Sequence, residues 1–123
     1  MVDIPEKPVE WLGSTKADVT AMPDLVKREV GQALYFAQGG QKHRSAKPLT
    51  GFKGAKVLEI VSNYNTDTYR CVYTVVFPEA VYVLHAFQKK SKSGIATPQS
   101  DLDLIASRLK GARQHYQKHY PSP

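Results

Sequence analysis

The sequence predicts a single α+β domain in which helices cover an antiparallel β-sheet. The chain has 123 residues, enough for one hydrophobic core but too few for two. Its second half contains consecutive strand-like segments with short connections, and segments of helical periodicity lie before and after them. A sheet with helices on an apolar face gives two layers. We treat residues 1–123 as one domain and expect residues 1–7 and 120–123 to be flexible ends.

The first elements are a short strand and a helical hairpin. Residues 8–12 (PVEWL) alternate in apolar character, which is typical of a strand. Thr15 followed by Asp18 resembles a capping box that opens a short helix. A second helix is predicted to begin near Pro23 and to end at Gly39. Its apolar residues share one helical face: Val26, Val30, Ala33, Leu34 and Ala37.

The middle of the chain predicts a loop and then an antiparallel meander. Residues 41–56 are polar and rich in lysine and glycine, which indicates a basic loop. Strand-like segments follow at 56–64, 68–77 and 80–89. Their connections are so short that only hairpins can join them.

A C-terminal helix completes the predicted domain. Thr97 is expected to cap it and Pro98 to take its first position. The helix should end near His119. An apolar stripe at helical spacing gives it a face for the sheet: Leu102, Ile105, Leu109 and Ala112.

The charge of the chain is positive and concentrated in its middle. The chain has 17 Lys and Arg against 11 Asp and Glu, a net charge of +6. Residues 30–99 contain nine Lys and Arg but only three acids: Glu59, Asp67 and Glu79. Such a field favours a polyanionic partner, either nucleic acid or an acidic protein.

Cysteine content and hydropathy indicate a cytoplasmic protein. Cys71 is the only cysteine, so an intrachain disulfide and a CxxC metal site are both excluded, which suits a reducing compartment. The N-terminus has no apolar signal region. Apolar runs are far shorter than the roughly 20 residues of a membrane helix, and we expect no membrane contact.

Arg70 and Glu59 are the first candidate site residues. Arg70 lies in the middle of a strand with apolar residues on both sides, where an unpaired guanidinium would cost several kcal/mol. It should therefore form an ion pair with Glu59 on the preceding strand or bind a phosphate. Glu59 is either that partner or a partly desolvated general base, since it interrupts the apolar run VLEIV.

His85 is a further candidate, with alternation placing it on the strand face of Val81, Val83 and Phe87. It is either a hydrogen-bonded core residue or a group for proton transfer. The remaining histidines have no spacing typical of metal ligands: His43, His115 and His119. We expect neither a metal nor a cofactor.

Lysines at the end of the last strand are candidates for RNA binding. Lys89 and Lys90 leave the strand on opposite sides, and Lys92 follows. We expect Lys90 to face Arg70, because its side of the strand carries smaller or more polar residues than the side of Lys89. Together with lysines of the basic loop, these residues would form a rim that binds RNA backbone. The loop residues are Lys47, Lys53 and Lys56.

Two segments, KPLTGFKGAKVLEIV and TYRCVYTVVFPEAVYVLHAFQKKSKSGIATPQSDLDLIASRL, resemble the RelE/ParE superfamily of toxins from type II toxin-antitoxin systems. The phage-derived branch grouped with HigB-like toxins is the most similar, over residues 8–112. The resemblance implies a RelE-like fold of a helical hairpin and a C-terminal helix on an antiparallel sheet. Many such toxins are metal-independent endoribonucleases that cut mRNA on the ribosome, whereas ParE-like members inhibit DNA gyrase.

The resemblance also implies roles for individual residues. Arg70 matches the strand arginine that acts on the scissile phosphate, and Lys89 and Lys90 match phosphate contacts at the strand end. Glu59 falls where some members have lysine. Val61 stands where close relatives often have arginine, so one cation is missing. The histidine or tyrosine that follows the last strand in other members has no counterpart here except His115 and Tyr116.

These observations lead to one main hypothesis and two alternatives. The main hypothesis is a ribosome-dependent mRNA endonuclease that arrests translation and growth, with Arg70 and Lys90 at the phosphate and Glu59 or His85 in proton transfer. The alternatives are a gyrase-inhibiting toxin without chemistry, and an inactive relic that only binds its antitoxin. Each hypothesis implies an antitoxin partner, expected to be a helix-turn-helix DNA-binding protein. The main hypothesis also implies the ribosome and mRNA as partners.

Overall fold

The computed structural model describes residues 6–89 and 97–120. A five-stranded sheet has the order β1-β5-β4-β3-β2. Strands β2 to β5 pair in antiparallel fashion, whereas β1 pairs with β5 in parallel. The elements in chain order are β1 (Val9–Trp11), α1 (Thr15–Thr20), α2 (Asp24–Gln38), β2 (Ala46–Pro48), β3 (Val57–Tyr64), β4 (Asp67–Thr74), β5 (Val81–Lys89) and α3 (Gln99–His119).

Helices pack on both faces of this sheet, because both faces are apolar. Ile60, Cys71 and Tyr73 belong to a buried cluster with the side chains of α1 and α2. Alternate strand residues, such as Val72 and Tyr82, belong to a second cluster with the buried residues of α3: Ile105, Leu109 and Ala112. We refer to these as the hairpin face and the α3 face. The predicted α+β class is confirmed, with the C-terminal helix packed on the sheet.

The segment predicted as a basic loop contains strand β2. Ala46, Lys47 and Pro48 pair with Ile60, Glu59 and Leu58. So short a strand has no readable alternation, and proline argues against a strand except at a sheet edge, where its missing N–H is harmless. The parallel pairing of β1 with β5 was also not predicted, since it joins residues far apart in sequence.

Both expected helix caps differ in detail. Ser14 precedes α1 in the N-cap position, and its hydroxyl donates to the Asp18 carboxylate at 2.7 Å, while Thr15 is buried as the first helical residue. Pro98, rather than Thr97, takes the N-cap position of α3. The Thr97 hydroxyl instead accepts a hydrogen bond from Arg70. The sequence alone does not show that Arg70 takes the Thr97 hydroxyl as a hydrogen-bond acceptor.

A β-bulge in β5 determines which side chains face α3. Val72 pairs with His85 but Tyr73 pairs with Val83, so Leu84 is the extra residue. Val81 and Val83 lie in the hairpin-face cluster, as alternation predicts. Beyond the bulge the phase is inverted, and His85 lies opposite Val72 on the α3 face. The prediction that His85 shares a face with the two valines is therefore wrong.

Candidate functional site

Arg70 and Glu59 form an ion pair on the α3 face. Arg70 Nη1 donates to Glu59 Oε2 at 3.1 Å and to Thr97 Oγ1 at 3.2 Å. The Arg70 side chain is only 5% exposed and that of Glu59 is 14% exposed. The ion-pair alternative considered for Arg70 is therefore present. The guanidinium places a cation on this face of the sheet, and its planar shape matches phosphate oxygens.

His85 is held next to this pair by the first turn of α3. Its Nε2 lies 2.7 Å from Asp101 Oδ1. Its ring stacks on Phe87, with ring centroids 4.4 Å apart. The other ring nitrogen, Nδ1, is buried and has no hydrogen-bond partner among the described residues. His85 therefore has one nitrogen fixed by a carboxylate and a second that is not committed in the part of the chain described.

Asp101 is the site residue that sequence reasoning missed. Acidic residues are common in the first turn of a helix, where they complement the helix dipole, so Asp101 did not stand out. The available indication was its position in the first turn of α3, shortly after Thr97 and Pro98. We call Glu59, Arg70, His85, Thr97 and Asp101 the arginine site.

Two lysines predicted to bind RNA lie on the same sheet face. Lys47 is directly opposite Glu59 in the β2–β3 pair, and its side chain is exposed. Lys89 is opposite Thr68, one same-face position beyond the pairing of Arg70 with Phe87, and is buried. The structure thus brings Lys47 and Lys89 to the side of Arg70, and the expectation that the strand face of Lys89 points away from Arg70 is wrong. Lys90 and Lys92 lie outside the described residues.

Lys53 and Lys56 lie elsewhere. Lys56 immediately precedes Val57 at the start of β3, whereas Arg70 pairs with Val61 further along that strand. At roughly 3.3 Å per residue, Lys56 and the Val61 level of the strand are about 16 Å apart. Lys53 and Lys56 line a separate cleft beside the end of α2. The expected continuous rim is thus divided into two basic regions.

His115 and Tyr116 are remote from the arginine site. They lie near the end of α3, about 20 Å along the helix from Asp101 at roughly 1.5 Å per residue. His115 Nδ1 lies 2.7 Å from the Tyr82 hydroxyl, and Tyr116 stacks on Phe77. Neither residue can supply an acid or base next to Arg70 in this structure.

The side chains of the described residues determine which reactions the site could support. Burial raises the pKa of the Cys71 thiol to about 12, so this cysteine remains protonated and cannot act as a thiolate nucleophile. Among residues 6–89 and 97–120, no group of three or more His, Cys, Asp or Glu is arranged to hold a metal ion. The arginine site combines a fixed cation, an imidazole and carboxylates. This set can bind an anion and transfer protons.

The fold and site define a small basic α+β domain with an ion-paired arginine on one sheet face. Residues 17–110 match the family of phage-derived Gp49-like proteins (DUF891), and the chain belongs to this family. The family is toxin-like and lies in the RelE group, which suggests an antitoxin partner. No curated protein and no solved structure shows significant similarity to the chain. In the described parts of the chain, no helix is long and apolar enough to cross a membrane.

Proposed function

We propose that this protein is the toxin of a HigB-like toxin-antitoxin pair and that it cuts mRNA on the ribosome without a metal. The observation that carries the proposal is the position of Arg70 on the same sheet face as His85, with Glu59 paired to the arginine and Asp101 to the histidine. Membership in a toxin-like family supports the biological role. The expected partners are a helix-turn-helix antitoxin, the ribosome and mRNA.

The proposed reaction is attack of a ribose 2′-hydroxyl on the adjacent phosphate. It requires a base at the 2′-oxygen, cations at the phosphoryl oxygens, and an acid for the departing 5′-oxygen. Arg70 would stabilise the phosphoryl charge, and His85, oriented by Asp101, would transfer a proton. Glu59 is the alternative base. The scissile phosphate would have to replace Glu59 or Thr97 as an acceptor for the Arg70 guanidinium.

Lysines around the site would bind the RNA backbone. Lys47 and Lys89 share the sheet face of Arg70. Each lysine acts as a point charge toward phosphate, which gives affinity without sequence preference. Lys89, rather than Lys90, would then be the strand-end ligand of the reacting phosphate, and Lys90 and Lys92 would bind flanking RNA.

Arg70→Gln combined with Glu59→Gln tests the reaction without leaving a buried charge behind. The double variant should lower ribosome-dependent cleavage by on the order of a hundredfold or more, the usual effect of removing a transition-state donor. Induced expression followed by mapping of mRNA 5′ ends measures this loss, and Arg113→Gln on exposed α3 is the control. Cleavage that persists in the double variant would overturn the role of Arg70.

A gyrase-inhibiting toxin without chemistry is the second candidate. Val61 lies directly opposite Arg70 in the β3–β4 pair, where the toxins that the sequence resembles often have arginine. Glu59 already neutralises the guanidinium. A supercoiling assay with the purified protein separates the candidates, because a nuclease should leave gyrase active. A protein inactive in both assays would be the antitoxin-binding relic.

A further inference from the structure

A basic cleft of about 970 Å³ lies away from the arginine site. It is bounded by the end of α2 on one side and by residues 48–56 on the other. Leu49, Phe52 and Leu58 contribute to its apolar floor. Among the described residues that line it, there is no aspartate or glutamate. Its cations are Lys7, Lys42, Lys53 and Lys56.

Hydrogen bonds hold both walls of the cleft in place. On one side, Leu49 N–H donates to the Val57 carbonyl at 2.9 Å, and the Thr74 hydroxyl donates to the Ala55 carbonyl at 2.6 Å. On the other side, Gln38 Nε2 donates to the Lys7 carbonyl at 2.7 Å. The cleft is therefore formed before any ligand binds, which reduces the entropic cost of binding.

Lys56 lies at the rim of the cleft and has a strained backbone conformation. Its φ is +47°, in the left-handed region, where a residue with a Cβ is less stable than glycine by about 1 kcal/mol or more. Its side chain is exposed, so burial does not explain the lysine. A strained residue with an exposed charge beside a cleft points to binding rather than to folding.

The chemistry of the cleft fits a polypeptide better than RNA. An apolar centre with a charged rim is the usual arrangement of a protein interface. Single-stranded RNA is typically bound by several stacking rings and by the planar fork of arginine. Phe52 is the one aromatic ring among the described lining residues, which include no arginine.

We propose that this cleft binds an acidic segment of the antitoxin, one that inserts apolar side chains and places Asp or Glu against the lysine rim. The proposal rests on the proposed function in taking the antitoxin as the partner. It reassigns Lys53 and Lys56 from RNA to protein binding. It also separates partner recognition from the arginine site, which lies at a different level of β3.

The test uses the double variant Lys7→Glu and Lys42→Glu. Its binding affinity is measured by titration with the purified product of the adjacent antitoxin gene. Reversing two rim charges opposite acidic residues should weaken binding by about tenfold or more. Lys110→Glu with Lys118→Glu, on exposed positions of α3, is a matched control and should change affinity by no more than about twofold. Unchanged affinity of the cleft variant, or no binding by wild type, would overturn the proposal.

RNA cleavage by the free toxin is measured in parallel. The cleft variant should cleave mRNA as wild type does. If wild type cleaves no RNA but antitoxin affinity still depends on the cleft, the nuclease function fails and the present proposal stands. Lys53→Glu with Lys56→Glu should also weaken antitoxin binding. If this pair loses cleavage and keeps wild-type antitoxin affinity, the cleft is an RNA site instead.

Discussion

His85 Nε2 and Asp101 Oδ1 lie 2.7 Å apart and connect strand β5 to the first turn of α3. Thr97, just before that turn, accepts a hydrogen bond from Arg70. The start of α3 is therefore fixed to the sheet through polar groups of the arginine site as well as through its apolar stripe. Changes in this site should affect both helix docking and chemistry, and stability must be measured beside activity.

Asp101→Asn should destabilise the protein while keeping the shape of the side chain. Replacing a carboxylate partner of the buried His85 ring with a neutral amide should lower the free energy of unfolding by about 1–2 kcal/mol. Denaturant unfolding measures this change. Asp103→Asn is the matched control, because Asp103 is exposed and accepts only from Gln99 on the same helix among the described residues. Equal effects of the two substitutions would contradict the role of Asp101.

The Arg70–Glu59 pair should show strong coupling in a double-mutant cycle. Glu59→Leu alone leaves the buried guanidinium without its carboxylate and should cost about 3 kcal/mol or more. Adding Arg70→Met removes that charge and should recover most of the loss. Thermal and denaturant unfolding of the four proteins gives the coupling. Additive losses would show that the two side chains act independently.

Thr66→Gly should stabilise the protein. Asn65 and Thr66 connect β3 to β4 with φ values of +51° and +69°, the conformation of a type I′ hairpin turn. A β-branched threonine is strained there, so glycine should add about 0.5–1 kcal/mol. Thr68→Gly, within β4, should have the opposite sign. A loss of stability in Thr66→Gly would refute the strain at this turn.

Alkaline pH should weaken the contact between Tyr120, which follows α3, and Glu10 in β1. The hydrogen bond to Glu10, helped by burial, raises the pKa of Tyr120 to about 12 from 10.0. A phenol with a raised pKa stabilises the folded state fully below pH 10, and this contribution is lost as the pH rises toward 12. The free energy of unfolding should fall less steeply over this interval in Tyr120→Phe than in wild type.

Tyr35→Phe, on an exposed position of α2, is the control for this pH series. It should follow the wild-type curve. A Tyr120→Phe curve that is parallel to wild type between pH 10 and 12 would mean that the Tyr120–Glu10 contact does not contribute to alkaline unfolding.

Local sequence patterns predicted much of the fold but only part of the arginine site. The strands of the meander were predicted because their apolar residues and short connections leave few alternatives. Strand β2 and the parallel pairing of β1 depend on distant partners, which one sequence does not reveal. Glu59 was recognisable as a partner for Arg70 because it interrupts an apolar run. Asp101 was not, since acids at helix starts are common.

The bulge at Leu84 has an evolutionary consequence. Because alternation has a period of two, one inserted residue exchanges the sides of every later position in the strand. Point substitutions in β5 can change which group is presented at a position, but not the side on which the strand presents it. Gain or loss of a single codon at this place would transfer the imidazole from one layer of the protein to the other. In this chain, assembly of the arginine site therefore depends on the length of β5 at Leu84 as well as on the identity of His85.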